Sequence, residues 1–231
     1  MKTNDHAFTR IELLFCAAAI ALVLIPALSV LASNKTESQR IICFNNLRQI
    51  GRGFQMWASD NGNANPWRVP PPEGTEGNPL VVNLWYQFAV ISNQLRSPKL
   101  LVCPSDSGTR KIADNWSGAS GGFVNAAYRN NAVSYILSPH SILFGARVLL
   151  SGDRNIRPSA VGTSCSYVGS DAAVFSQLAR NSQVRWTNSI HGAAGHLAFG
   201  DGSVEFATSS QLQSVVNQEN SDNAFIHYLA K

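Results

Sequence analysis

The first part of the chain changes its pattern once. From Leu13 to Ala32 it reads LLFCAAAIALVLIPALSVLA, twenty residues with no charge and no polar face. As a helix rising about 1.5 Å per residue this stretch covers roughly 30 Å, the thickness of a bilayer's hydrocarbon core. It therefore predicts a membrane-spanning helix, kinked near Pro26, a residue that such helices tolerate. Past Ala32, the polar stretch Ser33 to Arg40 contains neither Gly nor Pro. Cys43, Leu47, Ile50, Phe54 and Trp57 then recur at helical spacing in a stripe about 80° wide, with Arg48 and Arg52 on the opposite side. The helix is thus expected to continue in amphipathic form until the turn cluster Asp60-Asn61-Gly62-Asn63. Its length would be about 75 Å.

The rest of the chain reads as short elements among loops. Pro66, Pro70, Pro71, Pro72 and Pro79 mark an irregular segment, and Leu84 to Leu95 a short helix. Leu100 to Cys103, Ser134 to Leu137 and Arg147 to Leu150 have the composition of strands, and 105–131 that of a loop. Leu197-Ala198-Phe199, Gly200-Asp201-Gly202 and Val204-Glu205-Phe206 form a hairpin signal, because Asp-Gly supplies the positive φ angles of a tight turn. Thr208 or Ser209 is placed to cap a last helix running through Val216. The expected fold class is α+β: a long N-terminal helix, transmembrane and then amphipathic, packed on a small, loop-rich, mainly antiparallel β-sheet head over 61–231.

Composition narrows the function classes. Lys+Arg number 18 and Asp+Glu 14, so charge is 14% of the chain against a usual quarter. With 26 Ser and 20 Asn in its place, the chain is neither a coiled-coil rod nor a charged disordered tail. A net charge of +4, dispersed, does not argue for nucleic acid. No Gly-Lys-Ser/Thr phosphate loop, Gly-x-Ser-x-Gly elbow or Cys-x-x-Cys pair occurs, and no enzymatic activity is expected.

The apolar run by itself suits a signal peptide cut after Ala32, or a plain anchor. Neither explains Glu12, since a carboxylate at the mouth of a membrane helix costs several kcal/mol unless paired. Ala7-Phe8-Thr9-Arg10-Ile11-Glu12-Leu13-Leu14 resembles the processing site of type IV pilins and type II secretion pseudopilins, with Ala7 in place of the usual glycine and Arg10 in place of an apolar residue. The resemblance implies cleavage between Ala7 and Phe8 by prepilin peptidase, N-methylation of Phe8, and pairing of Glu12 with the amino terminus of a neighbouring subunit. It divides the chain into a leader (1–7), a transmembrane and assembly helix (8–33), an amphipathic continuation (34–60) and the head (61–231). It also implies a single-pass location in the inner membrane, with the head on the extracytoplasmic side. The implied role is a structural subunit of a pilus-like or pseudopilus-like filament, its partners prepilin peptidase and like subunits. The alternative is a membrane-tethered, non-polymerising module that binds a glycan or peptide.

Three further motifs resemble one bacterial class of pilin-like proteins: Cys43-Phe44-Asn45-Asn46-Leu47-Arg48-Gln49-Ile50-Gly51, Cys103-Pro104-Ser105-Asp106, and His191 followed nine residues later by Asp201-Gly202. Cys16 lies in the apolar run. Of Cys43, Cys103 and Cys165, the pair Cys43–Cys103 would staple the helix stripe to the head, closing a loop worth about 4 kcal/mol. Three buried thiols are the alternative. His191 and His196 with Asp201 match no standard zinc spacing and read instead as loop histidines that fix the hairpin. No metal is expected, though Asp106, Asp153, Asp171 and Asp201 are weak candidates for calcium. Trp67 and Trp116, in polar loops, are candidates for exposed contacts.

Overall fold

The computed structural model describes residues 10–78, 80, 83–106, 108, 110–138, 147–159, 176–177, 182–221 and 227–228, with side chains omitted for 23–34, 176–177, 219–221 and 227–228. Two compact units divide the chain, Met1–Gln39 and Arg40–Lys231. Helix α1 runs over Arg10–Asp60, 51 residues. The expected membrane span is corrected: among the described residues no helix is long and apolar enough to cross a membrane. Before residue 23 the described side chains of α1 include Arg10 and Glu12, and that stretch rises only about 20 Å. From Lys35 onward the helix carries charge again, at Glu37, Arg40, Arg48 and Arg52. The transmembrane part of the fold class falls with this, and so does the inner-membrane, single-pass location.

In the first unit Ile11, Leu13, Leu14, Phe15, Ile20 and Leu22 are each more than half exposed. In the second, the end of α1 buries its stripe completely: Cys43, Leu47, Ile50 and Phe54 are 0% exposed and Trp57 5%. Gly62 and Asn63 then take positive φ, and the Asn63 N–H turns back to donate to Ala58 O at 2.8 Å, which closes the helix.

The remaining elements are short. Helix α2 spans Leu84–Val90 and α3 Ser92–Leu95, where one helix was expected. The expected strand at Leu100 is instead a 3-10 turn, Pro98–Leu101, started by Pro98 behind Ser97, whose hydroxyl accepts from the Lys99 N–H. Strands follow as β1 (Tyr135–Leu137), β2 (Leu149–Asp153), β3 (Ile156–Pro158), β4 (Ser176–Gln177), β5 (Val184–Trp186), β6 (Gly195–Phe199), β7 (Val204–Ala207) and β8 (His227–Tyr228). Between β7 and β8, helix α4 covers Ser209–Ser221, opened by a reciprocal cap: Thr208 N–H donates to Gln211 Oε1, and Gln211 N–H faces Thr208 Oγ1.

The class is α+β with a small antiparallel sheet, in the order β1-β2-β6-β7. Alternation along the strands gives the sheet two apolar faces. Tyr135, Leu137, Leu150 and Ala198 pack with the α1 stripe, with Trp85 and Phe88 of α2, and with Leu101, Cys103 and Phe123. Ile136, Leu149, Leu197 and Phe199 pack with Leu212 and Val216 of α4 and with Val184 and Trp186 of β5. Pairing of β2 with β6 shifts register between Leu149 and Ser151, a β-bulge. Gly195 is needed on the second face, since a Cβ there would lie 2.6 Å from the Trp186 ring. Trp67 is not an exposed loop residue: it is buried, edge-on to Phe54 at 5.6 Å.

Candidate functional site

The end of β2 organises the most polar part of the interior. Asp153, Arg154 and Asn155 are consecutive, and each reaches a different segment. Asp153 is paired with Tyr135 in the β1 register, on the face toward α1. Its Oδ2 accepts the main-chain N–H of His196 at 2.6 Å, lies 3.0 Å from His196 Nδ1, and stands 3.5 Å from His191 Nε2. Arg154 sends Nε and an Nη to Asp106 at 2.6 and 2.7 Å, a bidentate pair with both side chains almost wholly buried. Asn155 Nδ2 approaches the carbonyls of Thr187, Ile190 and Ala194 at 2.9, 2.9 and 3.1 Å. It thereby gathers the loop that carries His191.

That loop is held in an unusual shape. His191, Gly192 and Ala193 all have positive φ, at 54°, 64° and 62°. A side chain costs roughly 1–3 kcal/mol in this region unless its surroundings impose it. Here the Asn155 clamp imposes it, and the His191 ring is turned inward against Cys103 Sγ at 3.5 Å. Cys103 is bonded to Cys43. The two histidine rings meet edge to face, 4.8 Å between centroids, and Phe206 lies 5.0 Å from His196, its partner across the β6–β7 ladder. Arg40 covers Phe206 at 5.3 Å.

Burial disfavours the charged form of His191; the Asp153 carboxylate pulls the other way, and His196 and Arg40 repel a proton, so its pKa sits below the ordinary value. Burial alone would raise the pKa of Asp106. The Arg154 hydrogen bonds and charge, together with the Gly108 N–H, outweigh it and hold the carboxyl below its usual value.

The three head motifs, far apart in sequence, come together here. Cys43 and Cys103 form the disulfide, Phe44 lies 6.1 Å from His196, and Asn46 Nδ2 donates to Val102 O and Tyr135 Oη at 3.3 Å each. Asp106 closes the Cys-Pro-Ser-Asp turn onto Cys103 O and takes Arg154. Asp201 does not join this group: it accepts the N–H and hydroxyl of Ser203 at 2.8 and 2.6 Å and so builds the hairpin turn. Gly202, at φ 86°, lies against α1, and a Cβ there would stand 2.8 Å from Gln55 Nε2. Gln55 Nε2 in turn donates to Gly200 O. The nine-residue spacing thus ties two separate devices, a buried histidine and a hairpin tip, to one helix.

Of the calcium candidates, Asp106 is saturated by Arg154, and Asp201 is a turn residue. Neither belongs to a group of three metal-capable side chains among the described residues. Asp171, Cys165, Ala7 and Phe8 lie outside the described residues. Glu12 is exposed in the first turn of α1, and Cys16 is a free, exposed thiol. Trp116 is half-buried, its Nε1 donating to Arg96 O and its ring edge-on to Phe123 at 5.1 Å. Sequence reasoning passed over Asp153 as the partner of the histidines, and Arg154 and Asn155 altogether. The run Asp153-Arg154-Asn155 at the end of a strand marks the place in the sequence but names none of the partners.

No protein-family model matches the chain, and no curated protein or solved structure is similar to it. Two buried histidines, a buried carboxylate and a disulfide lie together where the end of α1 meets the sheet.

Proposed function

We propose that the chain is a structural subunit of a type IV pilus-like or type II secretion pseudopilus-like filament, processed by prepilin peptidase between Ala7 and Phe8. The observation that carries this reading is the contrast along α1. Its start exposes Ile11, Leu13, Leu14, Phe15, Ile20 and Leu22, whereas the stripe from Cys43 to Trp57 near its end is buried and tied to the head by Cys43–Cys103. A row of large apolar side chains on a long helix is stabilised when the same helix of another subunit covers it. The resemblance at Phe8 to Leu14 supports such packing, with Glu12 meeting the freed amino group of the neighbour. A carboxylate buried in that way is tolerable only when a cation arrives with the partner. The head would set lateral contacts through its surface.

Mass spectrometry of the mature protein tests the processing step. A chain beginning at N-methylated Phe8 is expected; a chain beginning at Met1 or Ser33 overturns the proposal. Glu12→Ala is expected to leave cleavage intact and abolish incorporation into filaments. Unchanged assembly of that variant would remove the role given to Glu12.

A further inference from the structure

We propose that Asp153, His191 and His196 form a binding site for one divalent transition-metal ion of the zinc type. Their donor atoms all lie within 4.8 Å of one another, and all three residues are buried. Asp153 Oδ2 stands 3.0 Å from His196 Nδ1 and 3.5 Å from His191 Nε2. Ligands about 2.0–2.2 Å from a tetrahedral zinc ion stand roughly 3.3–3.5 Å apart, so these two gaps are close to two edges of such a polyhedron, and the histidine–histidine gap, within 4.8 Å, would close onto the ion. Two nitrogens and a carboxylate oxygen suit a borderline ion, and three protein ligands leave a fourth position for water or another donor.

Two further observations point to a ligand. Asp153 Oδ1 is buried with no hydrogen-bond partner among the described residues, which leaves a second carboxylate oxygen available to an ion held by Oδ2. The carboxylate is also fully buried, and among the described residues its ion-pair contacts are the two histidines alone. A buried anion calls for a compensating positive charge, and a bound ion supplies it. The site is held ready in advance: His191 is fixed by three positive-φ residues and the Asn155 clamp, and His196 by the β6 ladder. The site is hidden in the sequence because its third ligand comes from a strand about forty residues before the two histidines.

A competing set lies next to it. Cys43, Cys103 and His191 also fall within ligand distance, but the two sulfurs are bonded to each other and are not thiolates. The test therefore uses the full chain with its disulfide confirmed intact by mass spectrometry, stripped by a chelator and titrated with Zn²⁺ and with Co²⁺. One equivalent is expected to bind, with visible Co²⁺ absorption bands of nitrogen and oxygen coordination. Asp153→Asn, His191→Gln and His196→Gln should each weaken binding by at least about tenfold, as loss of a direct ligand exceeds the effect of outer-sphere changes, while His140→Gln and His227→Gln leave it unchanged. Absence of binding to the unmutated chain overturns the proposal. So does binding that survives His196→Gln, or binding that appears only after the disulfide is reduced, which would move the site to the thiolates. Should a variant fail to fold, imidazole ¹⁵N shifts of the unmutated chain decide: Zn²⁺ must move the signals of His191 and His196, and movement of other rings alone refutes the site.

Discussion

The two faces of the β1-β2-β6-β7 sheet are built on different principles. The face toward α4 is closed mainly by aliphatic and aromatic contact, through Leu149, Leu197, Phe199, Leu212, Val216, Val184 and Trp186. The face toward α1 has a larger apolar cluster but also contains a disulfide, a buried carboxylate and two buried histidines. Apolar packing holds α4 against the four-stranded sheet, while Gln213 and Ser209 of α4 accept the main-chain N–H groups of Val184 and Trp186 in β5. The other face must fix the angle and depth at which the Cys43–Trp57 part of α1 lies on the sheet. Directional bonds do that, because a hydrogen bond or a covalent link has one good geometry whereas apolar contact has many.

The largest way to break the comparison is to remove the covalent link. Cys43→Ser with Cys103→Ser opens a loop with a sequence separation of 60. In the chain-entropy account it should cost about 4 kcal/mol, read as a lower midpoint in chemical denaturation. A loss near zero would mean that the polar node holds the helix without it. Next comes Leu212→Ala on the apolar face, where a fully buried leucine is cut back. A cost of about 3 kcal/mol is expected, and the same cost at pH 8 and at pH 5. A pH-dependent cost would show that the two faces are coupled.

The smallest effect is acid sensitivity, and it belongs to the α1 face. The His191 pKa is lowered in the folded chain, so the unfolded chain binds its proton more readily. Stability contributed by neutral His191 is therefore complete above the ordinary histidine value near 6.5 and is lost as pH falls from there to the lowered folded value. Asp106 is lowered too, so its share survives until pH drops below the ordinary carboxylate range. Denaturation midpoints taken between pH 8 and pH 3 should fall in these two stages. Replacing His191 with Gln should remove the first stage only.

What could be read from the sequence was local or periodic. The α1 stripe from Cys43 to Trp57 follows from 100° spacing, and the Asp201-Gly202 turn from the φ it requires. Cys43 and Cys103 could be paired because a stripe residue must face something. The misreadings came from non-local partners or local turn chemistry. Trp67 sits in a polar, proline-rich stretch, yet Phe54, thirteen positions earlier, provides the wall it rests on. Leu100 and Leu101 have strand composition, but Pro98 after Ser97 winds them into a 3-10 turn. The apolar run at the start implied a membrane span from composition alone, and no described helix meets that requirement. Arg154 and Asn155 gave no sign of their roles, because nothing near them in sequence names Asp106 or the loop before β6.

The bulge in β2 decides where the acid goes. Leu149 faces the α4 side, and regular alternation from it would send residues 151 and 153 to that side as well. The extra residue at the bulge reverses the phase, so that Leu150 and Ser151 both serve the α1 face and Asp153 follows them there, opposite Tyr135. A single backbone irregularity three residues upstream thus separates a carboxylate lodged between two histidines from one stranded in an aliphatic layer. By the same logic, the chemistry of this interior depends on chain parity as much as on residue identity. A one-residue slip in β2 would leave every side chain present and dismantle the site.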